Sequence, residues 1–292
     1  MLVIHFIVHS ISSRQSKILE NAIMKIFSNK NKYRFSIKHS NYKGHAIELT
    51  KESIKDKTNV IVACGGDGTI NEVARNIVGT NITLGIVPMG SGNGLASHLK
   101  ISKNIIEALN ILKKHKIIKI DVGKINQDYF FSNTGVAFDA VFVKNYNSIN
   151  KRGIIAYAYS FIISIFNFKY LDVKIYGEKM NQFSKPFLLL VSNSNQLGYN
   201  MSLTPKASLI DGKLDLILVD KMNWFKILSF LLMTLFRFNP CFEQIKRSKI
   251  QKLELLSSSK ELIYQIDGEL VDKRTKHINI SVLNRKLKVI AK

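Results

Sequence analysis

At 292 residues the chain is long enough for two modest domains or one large one, and its 46% hydrophobic content with only 4 Pro excludes a disordered polypeptide. Two cysteines, Cys64 and Cys241, exclude a disulfide scaffold and point to a reducing compartment. The formal net charge of +22 points to polyanionic partners. Its Lys and Arg are scattered, without the block of like charges that marks a nucleic-acid tail, and no nucleic-acid recognition motif accompanies them, so anionic lipid stays the open partner class. Part of the excess follows from a general abundance of Lys, Asn and Ile.

Met1 leads directly into the strand-like LVIHFIV, with no basic region or cleavage site, so no secretory leader is expected. No uncharged run reaches the roughly 18–20 residues of a membrane span. Leu2 to Val8 reads as a strand, and Ser13 to Ser28 follows as a helix with Ile18, Leu19, Ala22, Ile23, Ile26 and Phe27 at helical spacing. A strand over Arg34 to His39 and a helix over His45 to Lys55 come next. Val60 to Cys64 is apolar and β-branched throughout, the pattern of a strand buried on both faces.

The turn that follows is Gly65-Gly66-Asp67-Gly68, and Thr69 with Glu72 three residues on predicts a capping-box start to a helix over Ile70 to Val78. Such a loop admits main-chain N–H groups to an anion, and the helix N-terminus adds free donors, so a phosphate cradle is one reading. Glycines that serve the turn alone, with Asp67 accepting loop N–H bonds, are the other. A P-loop is excluded because no GKS or GKT ends the loop, and the dinucleotide spacing G-x-G-x-x-G is missing.

A strand over Ile82 to Val87 enters a second loop, Pro88-Met89-Gly90-Ser91-Gly92-Asn93-Gly94, before helices at Leu95 to Leu99 and Ile105 to His115. The alternation predicts a doubly wound parallel sheet, and ligands of such sheets sit beyond the carboxyl ends of the strands, where both loops lie. From about Ile117 strand patterns dominate: Ile117 to Ile125, Tyr129 to Asn133, Leu171 to Tyr176, Phe187 to Asn193, Lys213 to Val219, Ile250 to Leu256, Leu262 to Gln265, His277 to Val282 and Lys286 to Ile290. They predict an antiparallel β-sandwich or barrel. Domain boundaries are expected at 1–120 and 121–292, with the last strand open to a return to the first domain. Two apolar, aromatic-rich helical stretches, Ile154 to Phe168 and Trp224 to Phe238, read either as helices packed on the sheet or as membrane-surface helices.

GGDGTINEV resembles the signature of the diacylglycerol kinase catalytic-domain family, which includes diacylglycerol, sphingosine, ceramide and YegS-like lipid kinases. Its GGDG core is shared with NAD kinases and phosphofructokinases, whose nucleotide domain is similar. PMGSGNGLA resembles the family's P-x-G-S/T-x-N-D/G-x-A segment, NTGVAFDA its G-x-G/A-F-D-A element, SLTPKASLIDGKLDLILV its P-x-A-x-x-x-D-G-x-L-D segment, and QIDGE its D-G-E. Five motifs in the family's order cover roughly residues 40 to 270.

The resemblance implies an α/β nucleotide domain of phosphofructokinase and NAD-kinase type, followed by a mainly antiparallel β-sandwich domain that takes the lipid. It implies ATP and Mg²⁺ as cofactors and transfer of the γ-phosphoryl group to a hydroxyl of a membrane lipid. Position by position it makes Ser40, Gly65, Gly66, Asp67, Gly68, Thr69, Asn71, Glu72, Ser91, Gly92 and Asn93 nucleotide-binding residues. Asp267 becomes the catalytic base, with Glu269 beside it; in an extended stretch the two project to one side, so that one orients a hydroxyl while the other holds a cation or the base. Asp211, with main-chain oxygens near Ser208 and Lys213, matches a structural Mg²⁺ site, although Asp211-Gly212 also reads as a hairpin turn. Asp139 matches a headgroup-facing residue or a buried loop acceptor.

Two departures stand out. His9, Ser10, Ile11 and Ser12 replace the N-P-x-S/A-G found after the first strand in many members, and Gly94 replaces the Asp common in diacylglycerol kinases. An NAD kinase and a non-catalytic nucleotide or lipid sensor are the alternatives. The partners expected are ATP, a lipid and an anionic membrane surface, with no nucleic acid and a homodimer left open; the expected place is cytoplasmic, peripheral on the inner membrane face.

Overall fold

The structure, a computed structural model, describes residues 1–9, 13–90, 92–149, 154–178, 180–196, 202–235, 238, 242–258, 260–271 and 273–292. These fall into two compact units. Met1–Val122 with Asn284–Lys292 form the first, and residues between 123 and 283 form the second.

In the first unit β1 (Leu2–His9), α1 (Ser13–Ile26), β2 (Tyr33–Ser40), α2 (His45–Lys55), β3 (Val60–Gly65), α3 (Asp67–Ala74), β4 (Thr83–Pro88), α4 (Gly94–His98) and α5 (Ile105–Lys114) alternate. The four strands are parallel in the order β2-β1-β3-β4. Every residue of β3 and β4 is buried, because helices cover both faces of a parallel sheet and leave no position for a polar side chain. The register sets His9 opposite Ser40, Val8 opposite Cys64 and Gly65 opposite Pro88, so the four carboxyl ends lie along one edge. Since β2 and β3 flank β1 on opposite sides, the winding reverses there, and that carboxyl edge is where open parallel sheets bind ligands.

The second unit is built from β6 (Asp128–Phe130), β7 (Asn133–Ala137), α6 (Phe138–Asn147), α7 (Ile154–Asn167), β8 (Val173–Gly177), β9 (Met180–Ser184), β10 (Pro186–Ser192), β11 (Leu214–Asp220), α8 (Trp224–Leu235), β12 (Ile245–Ile250), β13 (Lys252–Ser257), β14 (Tyr264–Ile266) and β15 (Glu269–Leu270). The chain enters it along β5 (Ile117–Ile125) and leaves it along β16 (His277–Ile290). One antiparallel sheet runs β12-β11-β10-β7-β14-β15. Its alternating side chains divide between two cores, as a two-residue period requires. Leu189, Val191, Leu216 and Leu218 face the antiparallel layer of β16, β13 and β8, where Ile278, Leu255 and Ile175 complete a sandwich interior. Leu188, Leu190, Ile217 and Val219 point the other way, into a core closed by Phe138 and Phe142 of α6 and by Ile227 and Phe230 of α8.

This is the expected architecture, a doubly wound α/β unit and an antiparallel sandwich, with several corrections. Helix α3 starts inside the glycine loop at Asp67 rather than at Ile70. The stretch expected as Ile250 to Leu256 is two strands, β12 and β13, while the two expected over His277 to Ile290 are one. Helix α6 replaces what reads as loop after NTGVA; Ala137 at φ 72° turns the chain into it. Among the described residues no helix is long and apolar enough to cross a membrane.

Candidate functional site

At the carboxyl edge of the first unit the two glycine loops touch. A Cβ on Gly90 would stand 2.5 Å from the Gly66 Cα, and one on Gly66 would stand 3.3 Å from the Gly90 Cα, so the floor here is bare main chain. Gly65 is fixed for another reason: Thr69 Oγ1 fills the place of its missing Cβ. Met89 N–H donates to the Gly65 carbonyl at 2.8 Å, which continues the β3–β4 pairing into the loops.

Asp67 locks the second loop to the first. Its carboxylate accepts the N–H of Asn93 at 2.7 Å and that of Gly94 at 2.8 Å. Burial pushes this carboxyl above the ordinary carboxylate range, against the pull of those two N–H bonds. Asn93, fully buried at φ 60°, bonds across its own loop to the Gly90 main chain. Asp67 and Asn93 therefore shape the loops by taking up the N–H groups of Gly90, Asn93 and Gly94, which leaves the start of α3 as the source of donors. The first-turn N–H groups of α3 belong to Asp67, Gly68 and Thr69 and lack intrahelical acceptors. An anion placed there would also meet the positive end of the helix.

The expected capping box does not form, because Thr69 lies inside α3, whose N-cap is Gly66. Glu72 instead accepts the N–H of Gly44 at 2.9 Å, tying the loop after β2 to α3. Gly44 permits this at φ 89°, and Ser40 ends β2 buried on the same edge. Asn71 is half-buried on α3, and Gly92 is half-buried in the second loop. Ser91 lies outside the described residues, as do Ser10, Ile11 and Ser12.

In the second unit the D-G-E segment is a tight hairpin, not an extended run. Asp267 at φ 49° and Gly268 at φ 85° form the two-residue turn between β14 and β15, the positive-φ pair that Asp-Gly supports best. Asp267 therefore sits in the turn itself and Glu269 opens the returning strand, so the extended stretch expected of them is not formed. The Asp267 carboxylate accepts the successive N–H groups of Phe131, Ser132 and Asn133 at 3.0, 2.7 and 3.1 Å, while its own N–H donates to the Asn133 carbonyl. Three donors hold the carboxylate in one orientation.

Gln265, buried beneath this turn, connects it to Asp139. Its amide nitrogen donates to Asp139 at 2.7 Å and to Asn133 Oδ1 at 2.8 Å, and its Oε1 accepts the Gly268 N–H at 2.7 Å. The Asp139 carboxylate fills the space a Gly135 Cβ would need. Desolvation pushes its carboxyl up to about 6, against the lowering effect of the Gln265 bond. Gln265 was not singled out from the sequence; a polar residue in a strand with Tyr264 and Ile266 also buried was the available sign.

The proposed structural cation site does not fit a divalent ion. Lys249 Nζ stands 2.6 Å from Asp211 and 3.2 Å from Asp215, so an ammonium already balances these carboxylates. Asp211 Oδ1 accepts the Lys213 N–H, and Ser208 Oγ accepts the Ile210 N–H, which makes 208–213 a self-bonded turn. Among the described residues no group of three or more His, Cys, Asp or Glu could hold a metal.

Comparison with known proteins bears on the family and the fold. Residues 3–125 match the diacylglycerol kinase catalytic domain, and residues 133–291 match the YegS C-terminal NAD kinase beta sandwich-like domain. A diacylglycerol kinase of Staphylococcus saprophyticus is 29% identical over 187 residues, 62% of this chain and 60% of that relative's own length. Among solved structures, a diacylglycerol kinase from Bacillus anthracis superposes with a TM-score of 0.77 at 20% identity, covering 100% of this chain and 97% of the other. An NAD kinase from Archaeoglobus fulgidus in complex with ATP gives a TM-score of 0.54 at 14% identity, covering 98% and 93%. The two structural likenesses speak to the fold alone, whereas the two domain matches together span nearly the whole chain: it belongs to the diacylglycerol kinase and YegS-like lipid kinase family.

Proposed function

We propose that the chain is an ATP-dependent lipid kinase, moving the γ-phosphoryl group of ATP to a hydroxyl of a membrane lipid such as diacylglycerol or a sphingoid base. The observation that carries this reading is the main-chain floor where Gly66 and Gly90 meet at the start of α3, locked by Asp67. It offers N–H donors and no side-chain bulk to a polyphosphate. Family membership supplies the acceptor class, and the Asp267 turn supplies the group for it.

In the reaction proposed, MgATP is the substrate at the first-unit loops. The lipid hydroxyl oxygen forms a bond to the γ-phosphorus as the bond to the bridging oxygen breaks; ADP leaves with that electron pair, and the hydroxyl proton passes to Asp267. Because the transition state of such transfers is loose, an acceptor held in position matters more than a strong base. Asp267 suits that role, since its carboxylate is oriented by three main-chain N–H groups. Asp139 is the proposed headgroup contact, held in place by the Gln265 amide.

The test is a parallel incubation of the protein with γ-labelled ATP and, separately, diacylglycerol, sphingosine and NAD. Label in an organic-phase phospholipid is the expected result. Label found only in NADP would overturn the lipid reading in favour of an NAD kinase.

A further inference from the structure

Helix α7 has two apolar faces. Toward the body of its unit it turns Ala156, Ser160 and Ser164, with both serines at 0% exposure, together with Phe161 and Ile165, which pack on the Phe138 and Phe142 core. The serine hydroxyls bond to helix carbonyls four residues back, and Ser164 Oγ also accepts from Asn145 of α6 at 2.8 Å. A second set of large side chains points away: Ile155 at 83% exposure, Tyr159, Ile162, and Phe166 at 76%. Their spacing of four, three and four residues is one face of a helix.

Helix α8 likewise leaves one apolar face uncovered. Ile227 and Phe230 enter the core, whereas Phe225, 82% exposed, Leu228 and Leu232 form a stripe in solvent. The rings of Phe166 and Trp224, 5.9 Å apart, join the two stripes into one surface. Exposed apolar residues are ordinary when scattered; a contiguous double stripe marks an interaction face.

Charge says what covers it. Residues 140–171 carry Lys144, Lys151, Arg152 and Lys169 and no Asp or Glu; residues 221–242 carry Lys221, Lys226 and Arg237 and again no acid. Neither helix can cross a bilayer. We propose that α7 and α8 together dock on the face of an anionic lipid bilayer, with the aromatic and aliphatic stripes entering the boundary of headgroups and acyl chains and the flanking cations meeting lipid phosphates. A second copy of the chain is the poorer occupant, because two equally cationic surroundings would then face each other. Docking requires no nucleotide and is independent of the phosphoryl-transfer proposal.

Trp224 is the only tryptophan of the chain, so its emission reports on this surface without labelling. The full-length protein is mixed, without ATP, with vesicles of phosphatidylcholine alone or of phosphatidylcholine with phosphatidylglycerol. The anionic vesicles should shift Trp224 emission to the blue, brominated acyl chains should quench it, and the protein should float with the vesicles. A Phe166→Ser, Phe225→Ser double variant should partition at least about tenfold less with an unchanged melting temperature. If that variant melts early, quenching of the wild type decides alone. No Trp224 shift or quenching with anionic vesicles, undiminished flotation of a folded variant, or a wild-type dimer that the double substitution dissociates would each overturn the proposal.

Discussion

The candidate site rests on single atoms that are missing or buried. Gly90 lacks a Cβ where one would collide with the Gly66 main chain, and neither strand end can retreat while β3 and β4 stay paired. Gly90→Ala should therefore spread the two loops, weakening ATP binding by about tenfold, a loss of roughly 1.4 kcal/mol, while leaving the sheet folded. Calorimetric titration with a non-hydrolysable ATP analogue checks this, and unchanged affinity would contradict a main-chain phosphate floor. Asp139 makes a pH-dependent statement. With its carboxyl raised to about 6, the folded protein keeps a proton that the unfolded chain has lost from roughly pH 4 upward. The stability this residue contributes is full below its unfolded pKa and is lost as pH rises through about 6, by at most about 3 kcal/mol. Asp139→Asn keeps an acceptor for Gln265 and removes the titration. The variant should be the more stable protein at neutral pH, with a flatter urea-midpoint profile across that window; an unchanged profile would contradict the assignment.

At the scale of elements, the hairpin β14–β15 and the turn of residues 208–213 show how local chemistry replaced what the sequence pattern suggested. Asp-Gly with both residues at positive φ is the shortest hairpin turn, and this signal was already present in QIDGE. Reading D-G-E as extended overlooked it. At 208–213 the deciding residue, Lys249, comes from β12, far along the chain, and no local motif could announce it. The wild-type melting temperature is accordingly expected to be the same in EDTA as in Mg²⁺. Lys249→Met should cost about 1 kcal/mol, the scale of a partly exposed ion pair, and a metal-dependent wild-type melt would contradict the lysine reading. What was legible was whatever burial writes into a run of residues: VIVACG as a doubly covered strand, and LLLV and LDLILV as sandwich strands. What was not legible depended on partners distant in sequence. Glu72 reaching Gly44 across 28 positions is one example. The direction of α7 is another: Ala156, Ser160 and Ser164 lie on its inner face beside Phe161 and Ile165, and with large apolar residues on both faces and no charge within the helix the sequence alone does not say which face is covered.

For the molecule as a whole, the proposed function asks one chain to combine two chemistries. One unit presents main-chain donors at a sheet edge, suited to polyphosphate. The other holds an oriented carboxylate in a hairpin turn, over a buried Gln265. On the docking proposal, the formal charge of +22 would add a long-range attraction to anionic lipid that salt should weaken, because screening shortens to about 3 Å at 1 M ionic strength. At Gly94, where diacylglycerol kinases commonly have Asp, the N–H still bonds to the Asp67 carboxylate. The deciding measurement is transfer of label from γ-labelled ATP into a total lipid extract, with the wild type beside Asp267→Asn and with ATP binding by both proteins measured in parallel. The expected result is one or more labelled phospholipids made by the wild type and reduced by at least about a hundredfold in the variant, within the range removal of a proton acceptor costs, with ATP affinity unchanged. If both proteins bind ATP and neither labels any lipid, the chain is not a lipid kinase; if both label lipid equally, Asp267 is not the proton acceptor.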